Sequence, residues 1–317
     1  MLDEMGGGVT KKNSKLKVFK KQIWIQSMIL GGLIFLLIFS YVPMAGIIIA
    51  FKEYKISSGL EGMFTSKWVG LKWFIEFLSS NMFFVVVRNT LVLSILKLVL
   101  VFPVPIIFAI MLNEMKNGKF KKAVQTASYL PHFLSWIVVS GLCFTMFSST
   151  YGLVNEVLIK LGVITQPLKI LTTGSQYWGL AIGTELWKEM GWSAIIFIAA
   201  ISGIDGTLYE AAQVDGASRM QKIFHITIPS MKGIIIVMFI LSLGGLVGGN
   251  MEQALLLGND LNREYSEIIN SYVMKVGLSQ FRFDYATAVG LMQSVISVTL
   301  VMGSNSLSRK FSGASLY

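Results

Sequence analysis

Long apolar stretches alternate with short polar segments along the whole chain. A helix needs about 20 mostly apolar residues to cross roughly 30 Å of hydrocarbon. Six stretches reach or approach that length, and their predicted bounds are 23–50, 89–112, 131–147, 178–204, 233–247 and 285–307. The pattern therefore predicts an all-α membrane protein with six transmembrane helices.

The amino-acid composition agrees with this prediction. Of the 317 residues, 54% are hydrophobic and only 14% are charged, whereas a soluble domain carries about 25% charged residues. The chain contains one cysteine, Cys143, which excludes a disulfide scaffold. Both observations favour a surface that mostly faces lipid.

The distribution of positive charge predicts the orientation in the membrane. Lysine and arginine number 27 against 17 acidic residues, for a net charge of +10. If the N-terminus is cytoplasmic, the inner segments contain 15 of these cations and the outer segments contain 9, as the positive-inside rule requires. We therefore predict a multi-pass protein of a bacterial-type cell membrane with both termini in the cytoplasm. The excess charge then reflects topology, and no nucleic-acid partner is expected.

The polar segment between the fourth and fifth predicted spans has the local pattern of two short helices. Thr207 precedes Glu210 by three residues, which is the spacing of a capping box. An Asp-Gly pair ending at Gly216 is a turn signal, because glycine accepts a positive φ. A second helix follows, and Pro229 is predicted to break it before the fifth span. We call this segment, residues 205–232, the bracket and place it on the cytoplasmic side.

The bracket resembles the coupling motif of binding-protein-dependent ABC importers. That motif consists of Glu-Ala-Ala, three residues, Gly, nine residues, Ile, one residue, Leu and Pro, and the chain departs from it only at Ile228, which replaces the leucine. Segments 72–122 and 129–136 also resemble carbohydrate-importer permeases of the maltose and multiple-sugar type, in the branch associated with oligosaccharide uptake. The resemblance implies that a cytoplasmic ATPase couples to Glu210, Ala211, Ala212, Asp215, Gly216, Ile226 and Pro229.

The resemblance also implies an architecture and a set of partners. It implies a type I ABC importer permease fold in one domain over 1–317. The predicted parts are a cytoplasmic tail (1–22), a six-helix core (23–307) with a cytoplasmic coupling loop (205–232), and a cytoplasmic C-terminal tail (308–317). The implied partners are a second homologous permease subunit, two cytoplasmic ATPase subunits, an extracytoplasmic solute-binding protein and a carbohydrate substrate. ATP and magnesium are bound by the ATPase, and this chain is expected to hold no cofactor and to catalyse no reaction.

Polar residues inside the predicted spans mark a candidate sugar pathway, because ionisable groups in a bilayer usually face a cavity or a partner. Carboxylates beside tryptophan suit the hydroxyls and C–H faces of a sugar. Glycines at the end of the fifth span allow that helix to unwind. The candidate pathway residues are Trp136, Glu185, Lys188, Glu189, Trp192, Ser242, Asn250, Glu252 and Gln253.

Structural roles are open for several of these residues. Glu185 and Lys188 are three residues apart and within reach of a simple helix-surface pair. Trp136 is as well suited to packing as to lining a cavity. Lys97, in the second span, is expected to pair with a neighbouring helix or to reach the membrane surface with its long side chain rather than to contact the ligand.

Other classes of function fit the sequence less well. An ion-coupled secondary transporter, the alternative that we retain, would use the intramembrane carboxylates as a relay, but such proteins usually contain internal repeats. The sequence has no Gly-x-x-x-x-Gly-Lys nucleotide motif and no His/Cys cluster for a metal. The expected function is therefore ATP-driven carbohydrate import, with no metal site and no catalytic site in this chain.

Overall fold

The computed structural model describes residues 22–116 and 118–312. The predicted N-terminal tail lies outside this part except for its last residue, and the C-terminal tail lies outside it from residue 313. The described residues form helices and connecting loops, with one isolated antiparallel bridge between Lys52 and Trp68. An all-helical chain of this kind satisfies its backbone hydrogen bonds within each segment, as lipid requires.

The helices are numbered here in chain order. They are α1 Ile23–Phe51, α2 Gly59–Thr65, α3 Lys72–Leu78, α4 Asn81–Glu114, α5 Lys119–Phe133, α6 Trp136–Phe147, α7 Leu153–Lys160, α8 Tyr177–Ser202, α9 Gly206–Val214, α10 Arg219–Leu246, α11 Met251–Leu257, α12 Arg263–Ser266, α13 Ile269–Met274 and α14 Phe283–Ser312.

Four helices are long and apolar enough to cross a membrane, namely α1, α4, α10 and the Phe283–Ser306 part of α14. Two bent pairs complete the set: α5 and α6 meet at 104°, and the segment containing α8 meets α9 at 69°. The described residues thus contain four to six spans, six if each bent pair is one span. This confirms the predicted fold class of an all-α membrane protein.

Three predicted boundaries were wrong by more than a turn, and one of them is the start of the third span, predicted at 131 but found at Trp136, or at Lys119 if the bent pair is one span. The second span begins at Asn81 rather than at 89, and the fifth begins at Arg219 rather than at 233. In the fifth span the prediction failed because Pro229 does not break the helix. The second helix of the bracket and the membrane span form one continuous helix, α10.

Pro43, Pro103 and Pro229 lie within helices, and the helical turn before each proline is widened. A five-residue π-helical turn ends two residues before every one of these prolines, at Leu37–Tyr41, Lys97–Val101 and Ile223–Thr227. Proline has no N–H and its ring collides with the carbonyl four residues earlier. An i→i−5 turn moves that carbonyl away, so the helix continues through the proline. Such turns are frequently found at functional sites.

Buried side chains join α4, α8 and α10 into a single packed unit. Ala109 of α4, Phe197 and Ile201 of α8 and Met231 of α10 belong to one apolar cluster and are almost fully buried. Ser94 of α4 also donates a 2.7 Å hydrogen bond to the carbonyl oxygen of Leu246 at the end of α10. These contacts set the relative position of the three helices whose polar faces meet in the site described next.

Candidate functional site

The bracket is two helices joined at a sharp turn. The backbone of Gly216 has φ +76°, a left-handed conformation that glycine adopts at no steric cost. Ala217 N–H donates a 2.8 Å bond to the carbonyl oxygen of Ala212 across this turn. Ser218 then caps α10 in a capping box with Gln221. The Tyr209 and Thr227 hydroxyls lie 2.9 Å apart and hold α9 against the π turn of α10.

The N-cap of α9 is Asp205, and the predicted capping role of Thr207 was wrong. The Asp205 carboxylate accepts a 2.9 Å hydrogen bond from the backbone N–H of Thr207. This bond from the Thr207 N–H lowers the pKa of the Asp205 carboxyl below its usual range. The cap is therefore present at neutral pH and is lost as the pH falls through that lowered pKa.

We expect Asp205→Ala to loosen the first turn of α9, because it removes the acceptor for an otherwise unsatisfied backbone N–H. Hydrogen exchange of the amides of residues 207–209, measured by mass spectrometry, should become several-fold faster. Thr207→Ser, which keeps both the N–H and the hydroxyl that bond to Asp205, is the matched control and should not change the exchange rate. Equal acceleration by both variants would contradict this assignment of the cap.

The predicted coupling residues lie on the surface of the bracket. Glu210, Ala211, Asp215, Gly216 and Pro229 are exposed, and Ala212 and Ile226 are half-buried. Large apolar side chains are exposed beside them, namely Leu208, Val214, Met220 and Phe224, at 48–89% of their full accessible area. Contiguous exposed apolar surface rimmed by polar residues is typical of a protein-binding site.

A cavity of about 550 Å³, largely apolar but with several charged and polar residues in its wall, lies between α4, α8 and α10. Its wall includes five of the predicted pathway residues: Glu185, Glu189, Ser242, Asn250 and Glu252. Gly245 and Gly249 line it as well, and the helix ends at Leu246 with φ +61° at Gly249. The predicted break at the glycine-rich end of the fifth span is thus present, and it brings Asn250 to the cavity.

The centre of the cavity wall is a three-residue network. Lys97 Nζ lies 3.0 Å from Glu185 Oε1, and the two side chains are 14% and 15% exposed, respectively. Asn250 Nδ2 donates to the other carboxylate oxygen, Glu185 Oε2, at 3.2 Å. The predicted pair of Glu185 with Lys188 was therefore wrong. Lys97 instead pairs with a residue of a neighbouring helix, which was one of the two structural roles considered for it.

The residues Glu189, Lys188 and His132 form a second network beside the cavity. Glu189 Oε2 lies 2.8 Å from His132 Nδ1, and Glu189 Oε1 lies 3.3 Å from Lys188 Nζ. Lys188 is buried and donates to the His132 carbonyl oxygen at 2.6 Å. Of these three residues, only Glu189 is part of the cavity wall, where its charge is balanced by Lys188.

Three predicted pathway residues besides Lys188 lie away from the cavity wall. Trp192 stacks on the His132 ring with centroids 4.4 Å apart and planes 1° apart. Trp136 is 8% exposed and packs in an apolar cluster. Gln253 is 2% exposed and donates to the Ala181 carbonyl and the Thr184 hydroxyl, each at 2.8 Å. Trp136 and Gln253 are therefore buried, whereas Trp192 remains 43% exposed.

Two larger cavities differ from this one in the chemistry of their walls. Their volumes are about 780 and 820 Å³, and no charged residue lines them in the described part of the chain. The first lies between α6 and α8, and the second borders α1, α13 and α14. Chemistry rather than size therefore selects the cavity between α4, α8 and α10.

Comparison with known proteins shows the family. The family described as "Binding-protein-dependent transport system inner membrane component" matches residues 89–311. The chain is 42% identical over 312 residues to the polygalacturonan/rhamnogalacturonan transport system permease protein YteP of Bacillus subtilis (strain 168), covering 98% of this chain and 96% of the relative.

Two solved structures have the same fold along nearly the whole chain. One is a bacterial ABC transporter involved in the import of the acidic polysaccharide alginate, with TM-score 0.86 and 35% identity over 94% of this chain and 99% of that chain. The other is a bacterial alginate ABC transporter in complex with alginate pentasaccharide-bound periplasmic protein. It has the same TM-score and identity and covers 95% of this chain and 99% of the chain compared.

Proposed function

The chain belongs to the family of binding-protein-dependent transport system inner membrane components, and we propose that it imports an oligosaccharide rich in uronic acids. It is a multi-pass inner membrane protein and the permease subunit of a carbohydrate ABC importer. It is not itself an enzyme, since ATP is bound by a separate ATPase. The alternative of an ion-coupled secondary transporter is rejected, because the chain belongs to a different family.

The mechanism rests on the position of the bracket, which connects α8 and α10, two of the helices that line the cavity. Helix α8 supplies Glu185 and Glu189 to the cavity, and α10 supplies Ser242 and Gly245. The bracket joins the last turn of α8 to α10, and α10 itself begins inside the bracket. A displacement of the bracket therefore moves both walls at once, as expected of rigid elements that transmit a conformational change.

Coupling to ATP takes place at the exposed face of the bracket. Closure of two cytoplasmic ATPase subunits on ATP displaces α9, and the cavity changes from open to the cytoplasm to open to the outside. The exposed apolar side chains of α9 and α10 supply a contact surface, and Glu210 supplies a charge at its edge. This arrangement requires the N- and C-termini to be cytoplasmic, as the cation distribution predicts.

The remaining proposed partners supply the parts of the transport pathway that this chain does not. This chain lines the cavity with α4, α8, α10 and the start of α11, and a second homologous permease supplies the opposite side. An extracytoplasmic binding protein delivers the cargo, as in the solved alginate complex. Polygalacturonan and alginate, named for the relative and the solved structures compared above, are acidic polymers, and this is the basis for proposing a uronic-acid oligosaccharide here.

Uptake by the reconstituted importer tests this proposal. We expect proteoliposomes containing this chain, its partner permease and the ATPase to accumulate labelled oligogalacturonide only with ATP inside and binding protein outside. A neutral arabino-oligosaccharide is the control cargo. Preferential uptake of the neutral sugar, or uptake of either sugar without ATP, would overturn the proposal.

A further inference from the structure

We infer that Lys97 is the residue that makes the pathway selective for acidic cargo, by binding a carboxylate of the sugar while it is also paired with Glu185. This inference rests on the proposed function, because it assigns a residue of the same cavity to the charge of the cargo. The cargo chemistry it names is a carboxylate on an otherwise hydroxyl-rich chain.

The backbone holds Lys97 at the cavity by an unusual local conformation. Lys97 is the first residue of the π turn Lys97–Val101, and Phe102 N–H donates to the Lys97 carbonyl oxygen at 2.9 Å. The turn exists because Pro103 follows it. The hydrogen bond between Ser94 and the end of α10 lies one helical turn away from Lys97. The ammonium group is thereby fixed at a wall built from three different helices.

Lys97 is the one charged group in the described part of the cavity wall that can attract an anion, because the other three, Glu185, Glu189 and Glu252, are carboxylates. A lysine ammonium has three N–H donors, and in the described part of the chain its ion-pair partner is Glu185 alone. Glu185 is also held by Asn250, so the carboxylate stays in place when the ammonium is shared with a second anion.

A lysine within a membrane-spanning helix is expensive unless it is paired or serves a pathway. The second explanation for Lys97 is therefore a purely structural pair that neutralises Glu185. The two roles differ in what happens when each partner is removed singly. If the pair is structural, removing either partner alone should reduce uptake equally, and removing both should restore it. A cargo counter-ion is damaged only by loss of the cation.

The experiment measures ATP-driven uptake of oligogalacturonide and of its methyl-esterified, uncharged form by the full importer with its binding protein. The variants are Lys97→Gln, Lys97→Arg, Glu185→Gln and the double variant. We expect Lys97→Gln to lower the acid-to-ester uptake ratio by about ten-fold or more, because the charge-assisted hydrogen bond to the cargo is lost. Lys97→Arg, which keeps the charge, should restore most of the ratio.

The carboxylate variants decide between the two roles. Glu185→Gln leaves the ammonium entirely to the cargo, so the half-saturating concentration of the acid form should fall, and the double variant should transport acid as poorly as Lys97→Gln. Equal loss in both single variants with recovery in the double variant would overturn the inference. Because each variant is compared with wild type using the same binding protein, that protein's own preference cancels. Wild-type importer that transports only a neutral sugar would instead reject the proposed function.

Discussion

Replacing Gly216 by valine should abolish ATP-driven uptake while leaving the protein in the membrane. At φ +76° a non-glycine residue is strained by about 1–2 kcal/mol, and a β-branched side chain by more. A Cβ at this position would meet no atom within 4 Å, so the effect comes from the backbone turn and not from a steric clash. Relief of this strain opens the turn and separates α9 from α10, which the Tyr209–Thr227 contact otherwise holds together. We expect uptake to fall at least about ten-fold, the change that 1.4 kcal/mol produces.

Two controls isolate the backbone conformation. Gly206→Ala alters the other end of α9, where a Cβ is equally unobstructed and φ is ordinary, and should transport normally. Gly216→Asn should retain part of the activity, because asparagine tolerates a left-handed backbone. Membrane content by immunoblotting and ATPase binding by co-purification accompany the uptake assay. A Gly216→Val importer with wild-type uptake would contradict the coupling mechanism.

Replacing Gly191 by alanine should prevent α8 from packing against the end of α5. A Cβ on Gly191 would lie 2.1 Å from the Ser128 carbonyl oxygen and 2.4 Å from its carbon. Both are backbone atoms, so the helix must shift rather than one side chain. Overpacking typically costs about 1–3 kcal/mol, and the shift also disturbs the nearby contacts of Lys188 and Glu189 with His132. We expect a lower melting temperature of the purified importer and a loss of uptake.

Gly183→Ala is the matched control for this effect. Gly183 lies two turns earlier on the same helix, and a Cβ there would meet no atom within 4 Å. The two substitutions make the same change in helix propensity, so a difference in melting temperature between them reports the backbone contact. Equal melting temperatures for the two variants would show that α5 and α8 are not in close contact in the membrane.

The sequence predicted the spans well because apolar length is a strong, local signal. It also located the turn at Gly216, since an Asp-Gly pair after a helical pattern has few other conformations. It failed at Pro229, because proline breaks a regular helix but not one with a π turn before it. Nothing in the local pattern distinguishes the two outcomes, which depend on how α10 packs.

The site was only partly predictable for a related reason. Glu185, Asn250 and Ser242 were identified from their polarity within apolar spans, and they do line the cavity. The pairing of Glu185 with Lys97 was not identified, because helical spacing suggests partners on the same helix and Lys97 lies on α4. Trp192 and Gln253 were assigned to the pathway by residue type. In the structure Trp192 stacks on His132, and Gln253 donates a hydrogen bond to the α8 backbone. Residue type is local, whereas partners are set by tertiary packing.

The most direct test of the account is whether access to the cavity follows the ATPase. Ser242→Cys on a Cys143→Ala background places a single thiol in this chain at the wall of the cavity, where a membrane-impermeant thiol reagent can be applied from either side. We predict labelling from the cytoplasmic side without nucleotide and from the outer side when the ATPase is trapped with ATP. Addition of Gly216→Val should abolish the switch. Labelling from the same side in both states, or a switch that persists in the Gly216→Val importer, would contradict the claim that the bracket drives the cavity.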